Sequence, residues 1–190
     1  MNQSKDVTLF LNEFDNEKNY QNIKSINGFK IYQRKSFYGM NIYKIKGKMP
    51  CDSLKCIEFL SSPEVREDIS KGSMKCQVIK KINENQWYEH IKIKTNGTMF
   101  IDHIFSVELL TRNKDLLYSY SEDPKDMYFE DVFEKRDNNF TGIRCDTIEN
   151  EKRKCMLNVI LSFGEFEMGQ DVVYESMIEH FDLLKTALKN

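Results

Sequence analysis

The chain has 190 residues, 40% apolar and 12% aromatic, enough to bury one sizeable core, and residues 1–190 are read as a single domain. A net charge of -2 supplies no global basic field, so no nucleic-acid partner is expected. Five scattered cysteines with no secretory signal ahead of them point to a reduced, cytoplasmic protein, and no apolar run approaches the about 20 residues of a membrane span.

Residues 1–26 read as an N-terminal helical segment: Ser4 is a candidate N-cap, Val7, Phe10, Leu11 and Phe14 share a helical face, and a polar stretch follows from Asp15 to Asn22. Asn27-Gly28 signals a turn. Phe29 and Ile31 then start a strand that leads through Phe37 and Gly39 into a second, Met40 to Met49. Tyr43, Ile45 and Met49 share one face of that second strand and Lys44, Lys46 and Lys48 the other, so one side is expected dry and one wet. Pro50 stops it. Asp52 or Ser53 can cap a helix carrying Leu54, Ile57, Phe59 and Leu60, and Ser62-Pro63-Glu64 starts another that Gly72 closes.

From Ser73 the pattern has period two. Met74, Cys76, Val78 and Ile82 form one face of a strand, and Trp87, Glu89, Ile91 and Ile93 one face of the next. Ile101, His103, Phe105, Val107 and Leu109 follow beyond Asn96-Gly97, and Leu116 to Ser121 completes a four-strand meander. Phe140 to Ile148 and Lys154 to Phe166 read as a final hairpin, with Cys155, Leu157, Val159, Leu161 and Phe163 alternating inward. From Gly169 to Asn190, Val173, Met177, Phe181, Leu184 and Leu188 recur at spacings of three and four, the mark of an amphipathic helix.

This order of elements is that of an α+β helix-grip fold: a curved antiparallel sheet closed by a long C-terminal helix. From about Asn27 to Asn190 the chain resembles a START domain, the lipid-transfer domain related to the steroidogenic acute regulatory protein. The resemblance is carried by Gly28-Phe29-Lys30-Ile31-Tyr32-Gln33-Arg34, Tyr43-Lys44-Ile45-Lys46-Gly47, the helix Leu54 to Leu60, Trp87-Tyr88-Glu89-His90, Tyr118-Ser119-Tyr120-Ser121 and Ile143-Arg144. Where the family often carries Trp-Asp and Arg-Asp pairs, this chain has Glu67-Asp68 and Ile101-Asp102.

The resemblance implies an apolar pocket between sheet and C-terminal helix, a lipid ligand of phospholipid, sterol or sphingolipid class, transient membrane contact, and no cofactor. Glu89, Ile91, His103, Phe105, Arg144, Leu157, Met177 and Phe181 are the expected ligand-binding residues. Arg144 is a candidate partner for Glu89, since a buried carboxylate needs one, or for an acidic headgroup. Met99, Phe100, Met127 and Phe129 are expected at the pocket mouth or against a bilayer. Two other functions fit the same pattern. One is a helix-grip enzyme of cyclase or hydrolase type using His103, Glu89 or Arg144 on a cyclic substrate; the other is a protein-interaction module with a filled core. Gly-x-Ser-x-Gly and a Gly-rich phosphate loop are absent from the sequence. No metal is expected, because Cys51-x4-Cys56 has no Cys or His partner at zinc-like spacing.

Overall fold

The structure, a computed structural model, describes residues 12–35, 41–94, 100–110, 116–121, 139–163 and 170–189, with side chains for these except within 93–140 and 162–177. Among the described residues, nine strands form one antiparallel sheet: β1 (Gln21–Ile26), β2 (Phe29–Lys35), β3 (Asn41–Met49), β4 (Met74–Asn83), β5 (Gln86–Lys94), β6 (Phe100–Leu110), β7 (Leu116–Ser121), β8 (Asn139–Thr147) and β9 (Cys155–Phe163). Their spatial order is β1-β2-β3-β9-β8-β7-β6-β5-β4. Helices α1 (Ser53–Ser61) and α2 (Pro63–Ile69) interrupt the strands after β3, and α3 (Gln170–Ala187) ends the chain.

Local chemistry explains the boundaries. Asn27 and Gly28 both have positive φ, 51° and 79°, which suits the Asn-Gly turn joining β1 to β2. The Asp52 carboxylate accepts from the Lys55 N–H at 2.8 Å to cap α1, and Ser62 Oγ accepts from the Val65 N–H at 3.3 Å to cap α2, with Pro63 in its first turn. The meander and the final hairpin occupy the expected positions. Residues 21–26 do not: they form edge strand β1, paired with β2, where a helical segment was expected. The inward face expected for β4 holds through Val78, after which a register shift between Val78 and Lys80 turns Ile82 outward, 52% exposed.

The sheet face bearing Ile45 and Val159 carries the main core. Phe29 and Ile31 of β2, Tyr43, Ile45 and Met49 of β3, and Leu157, Val159 and Leu161 of β9 are buried there beneath Ile57 and Leu60 of α1 and Ile178, Phe181 and Leu184 of α3. At roughly 1.5–3 kcal/mol per large side chain, the buried side chains of α3 contribute up to about 10 kcal/mol, an upper bound. That is comparable with the net stability of a whole domain, so the C-terminal half of α3 is part of the core.

Its C-terminal half is also fastened at the β1–β2 turn. Lys185 Nζ donates to the Asn27 carbonyl at 3.0 Å and lies 3.7 Å from the centre of the Phe29 ring, and the Asn27 amide donates to Asp182. Phe29 fits only because residue 47 is glycine: a Cβ there would meet its ring carbons at 2.1 Å. Gly47→Ala is therefore expected to cost about 1–3 kcal/mol in urea unfolding; a loss below measurement error would mean that the Phe29 ring moves aside without penalty.

The opposite face, expected wet, is partly dry. Residues 12–20 lie over it, burying Phe14, Ile42 and Ile160, and Lys44 is 1% exposed. Its Nζ donates to the carbonyls of Phe14 at 2.9 Å and Asn16 at 2.8 Å and sits 4.5 Å from the Tyr20 ring centre. Burial brings the Lys44 ammonium down to about 8. Between pH 8 and the ordinary lysine value the unfolded chain then holds the extra proton, so this residue makes stability rise with pH in that window. Lys44→Met should abolish that rise relative to the native chain; parallel pH–stability curves for the two would disprove it.

Candidate functional site

Backbone register brings the expected inner-wall residues of the meander into one patch. Glu89 pairs with Val78 on one side and Phe105 on the other, and Ile91 pairs with Cys76 and His103. All belong to the same alternation as Trp87, which is buried in the core. Leu157 and Phe181 are buried in that core too, Phe181 packed at 5.5 Å centroid distance on Phe29. Met177 lies on α3 one position before the buried Ile178, and Phe100 starts β6. Met99, Met127 and Phe129 fall outside the described residues.

Glu89 is wholly buried. Its partner is Arg66 of α2, whose Nη2 donates to Oε1, while Trp87 Nε1 donates to Oε2 at 3.3 Å. The expected partner, Arg144, is on the other face of the sheet. It shares a strand face with Asp146, bonded at 3.0 Å, pairs with Asp15 at 2.9 Å, and lies over the Phe14 ring. Arg144 therefore joins β8 to the N-terminal segment, and any constellation that needs it next to Glu89 and His103 is not assembled.

Arg66 was not legible as a site residue, since the sequence marks a short helix starting at Ser62-Pro63-Glu64 but not what that helix packs against. Placement against the meander makes it a cation of the inner wall, 14% exposed. Glu67 beside it accepts from the Cys76 backbone N–H at 2.5 Å, locking α2 to β4. His180 of α3 completes the surroundings: burial, then the Arg66 charge, hold its imidazole below the ordinary range. Burial also pushes the Cys76 thiol up to about 12. A nucleophilic Cys–His pair needs the reverse, a depressed thiol beside a basic imidazole. What the cluster offers is a fixed guanidinium at the edge of an apolar wall. A guanidinium has five N–H donors, and the Glu89 carboxylate and the Ser62 carbonyl take one each.

Cys51, Cys56 and Cys155 also come together, although their spacing in the sequence shows no such set. Among the described residues, an open cleft of about 440 Å³ lies elsewhere, between the β1–β2 turn and α3, lined by Ile26, Asn27, Ile178 and Asp182. It does not reach Glu89. No helix of the described residues is long and apolar enough to cross a membrane.

Neither family sequence models nor curated protein sequences match the chain. Solved structures do. Human StAR-related lipid transfer protein 5 superposes with a TM-score of 0.74 at 16% identity, over 96% of this chain and 92% of that one. Human STARD10 gives 0.74 at 13% identity, over 94% of this chain and 78% of that one. Zhui aromatase/cyclase from a Streptomyces species gives 0.60 at 10% identity, over 79% of this chain and 94% of that one. The antiparallel sheet and its helices have the START-domain, helix-grip fold.

Proposed function

We propose that this chain is a single-domain cytoplasmic lipid-binding protein that carries a phospholipid, sterol or sphingolipid between membranes. The observation that carries the reading is the likeness, over 96% of the chain, to a solved lipid transfer protein of the same fold. The site supports it in kind: an apolar inner wall with an anchored cation suits a molecule that is mostly hydrocarbon with a polar end. In this reading Ile91, His103, Phe105, Leu157, Met177 and Phe181 supply wall. Arg66, held by Glu89, donates to the ligand's phosphate, carbonyl or hydroxyl oxygen. Met99, Phe100, Met127 and Phe129 are the candidate contacts with the bilayer during transient docking.

A lipid-sized interior of roughly 500 Å³ left dry would cost on the order of 10 kcal/mol, so the isolated protein should carry ligand or ordered water. Organic extraction followed by mass spectrometry should recover a lipid, and the protein should move labelled lipid between vesicles. Met99→Asp with Phe100→Asp should slow that movement without lowering stability. No lipid bound from any membrane mixture, together with no transfer, would refute the proposal. The catalytic alternative keeps support from the cyclase that shares the fold, but it loses Arg144 from its constellation. Turnover of a cyclic substrate that Glu89→Gln abolishes would favour it.

A further inference from the structure

Four of the five cysteines converge at one end of the main core. Cys51 follows β3, Cys56 is on the inward side of α1, Cys145 is on β8 and Cys155 begins β9. All four are buried and none is in a disulfide. The sulfurs of Cys51, Cys56 and Cys155 lie within 4.8 Å of one another, and Cys145, on the strand paired with β9, is buried in the same cluster. The fold makes the set: Cys155 is the β9 partner of Met49, two residues before Cys51, and Cys145 is the β8 partner of Leu157, two residues beyond Cys155.

A tetrahedral ion at Zn–S distances of about 2.3 Å holds its four sulfurs roughly 3.8 Å apart. The three mutually close sulfurs are within about an ångström of that spacing. Four thiols from three separate parts of the chain, with no water-exposed position among them, match a closed structural site. Such a site has no open position for substrate.

We propose that Cys51, Cys56, Cys145 and Cys155 form a tetrathiolate site for a soft divalent ion, zinc in the first place, which ties the β3–α1 connection to the β8–β9 hairpin. Loading would release one proton per thiol to solvent as each sulfur forms its bond to the ion; no electron moves. A bound dication is what permits four adjacent sulfurs to ionise together. Cys51 also precedes the Asp52 N-cap of α1, where the positive helix end favours an anionic sulfur.

The test is metal analysis of the full chain, expressed with zinc supplied and purified without chelator, followed by exchange to Co²⁺. The expected result is about one zinc per chain, retained through dialysis, and a cobalt form with thiolate charge-transfer absorption and the visible bands of a tetrahedral ion. Cys155→Ser should lose the metal, whereas Cys76→Ser, which alters the cysteine outside the cluster, should keep it. The wild-type stoichiometry and spectrum stand whether or not Cys155→Ser folds. A metal-free protein whose cluster thiols all titrate after denaturation, and which gives no thiolate–cobalt band, would overturn the proposal. Two disulfides in place of the thiols, or metal lost equally in Cys76→Ser, would also overturn it.

Discussion

Arg66→Ala should lower stability by about 3–5 kcal/mol, because it leaves the wholly buried Glu89 carboxylate with neutral partners, the Trp87 indole N–H and the Cys76 thiol. The magnitude comes from stranding a charge, not from the net worth of the pair. Replacing both members, Arg66→Met with Glu89→Leu, should therefore recover most of the loss. Lys48→Ala makes the contrast: its pair with Glu151 is half exposed, and breaking it should cost about 0–1 kcal/mol. Urea unfolding of the four proteins decides this. A loss below about 1 kcal/mol for Arg66→Ala would show that the carboxylate has another counter-charge. Arg66→Lys separates charge from geometry, since an ammonium keeps the charge but not the planar fork; in the lipid-carrier reading it should weaken ligand retention more than stability.

Phe181→Ala should cost about 3–5 kcal/mol. The ring is buried against Phe29, which is itself seated on Gly47 and capped by the Lys185 ammonium, so the surroundings are pinned and cannot collapse into the hole. Phe181→Leu should cost roughly half as much, because it leaves a smaller cavity. If the alanine variant unfolds at the native urea concentration, the C-terminal half of α3 is not committed to the core, and a role as a detachable cover becomes the better account.

The parts of this fold that alternate cleanly were legible in the sequence. Cys155, Leu157, Val159 and Leu161 recur every second residue, and all are buried on one face. Strand β1 was not legible, because Gln-Asn-Ile-Lys-Ser-Ile is an edge strand with no fully buried residue and so carries no periodic signal. Lys44 was misread for a related reason. Strand alternation shows which residues share a face but not what covers it, and the cover here comes from residues some thirty positions earlier. The site was half legible. The period-two pattern placed Glu89, Ile91, His103 and Phe105 in one alternation, as the register has them. It could not supply Arg66, whose role depends on how α2 sits against β4 and β5. Nor could it supply the cysteine set, whose two halves lie about ninety residues apart and meet only when β3 pairs with β9.

That pairing also governs how the chain can be made. Strands β4 to β8 each pair with a sequence neighbour and can assemble as they leave the ribosome, but β3 must wait for β9, more than a hundred residues later. Until then Tyr43 to Met49 is a strand with one apolar face and one edge unpaired, the kind of surface that recruits the wrong partner. Sheet closure between two distant segments is the slow step that high contact order imposes. During synthesis, then, the vulnerable part of this protein is its first third, and the interval of exposure is set by the translation time of everything between.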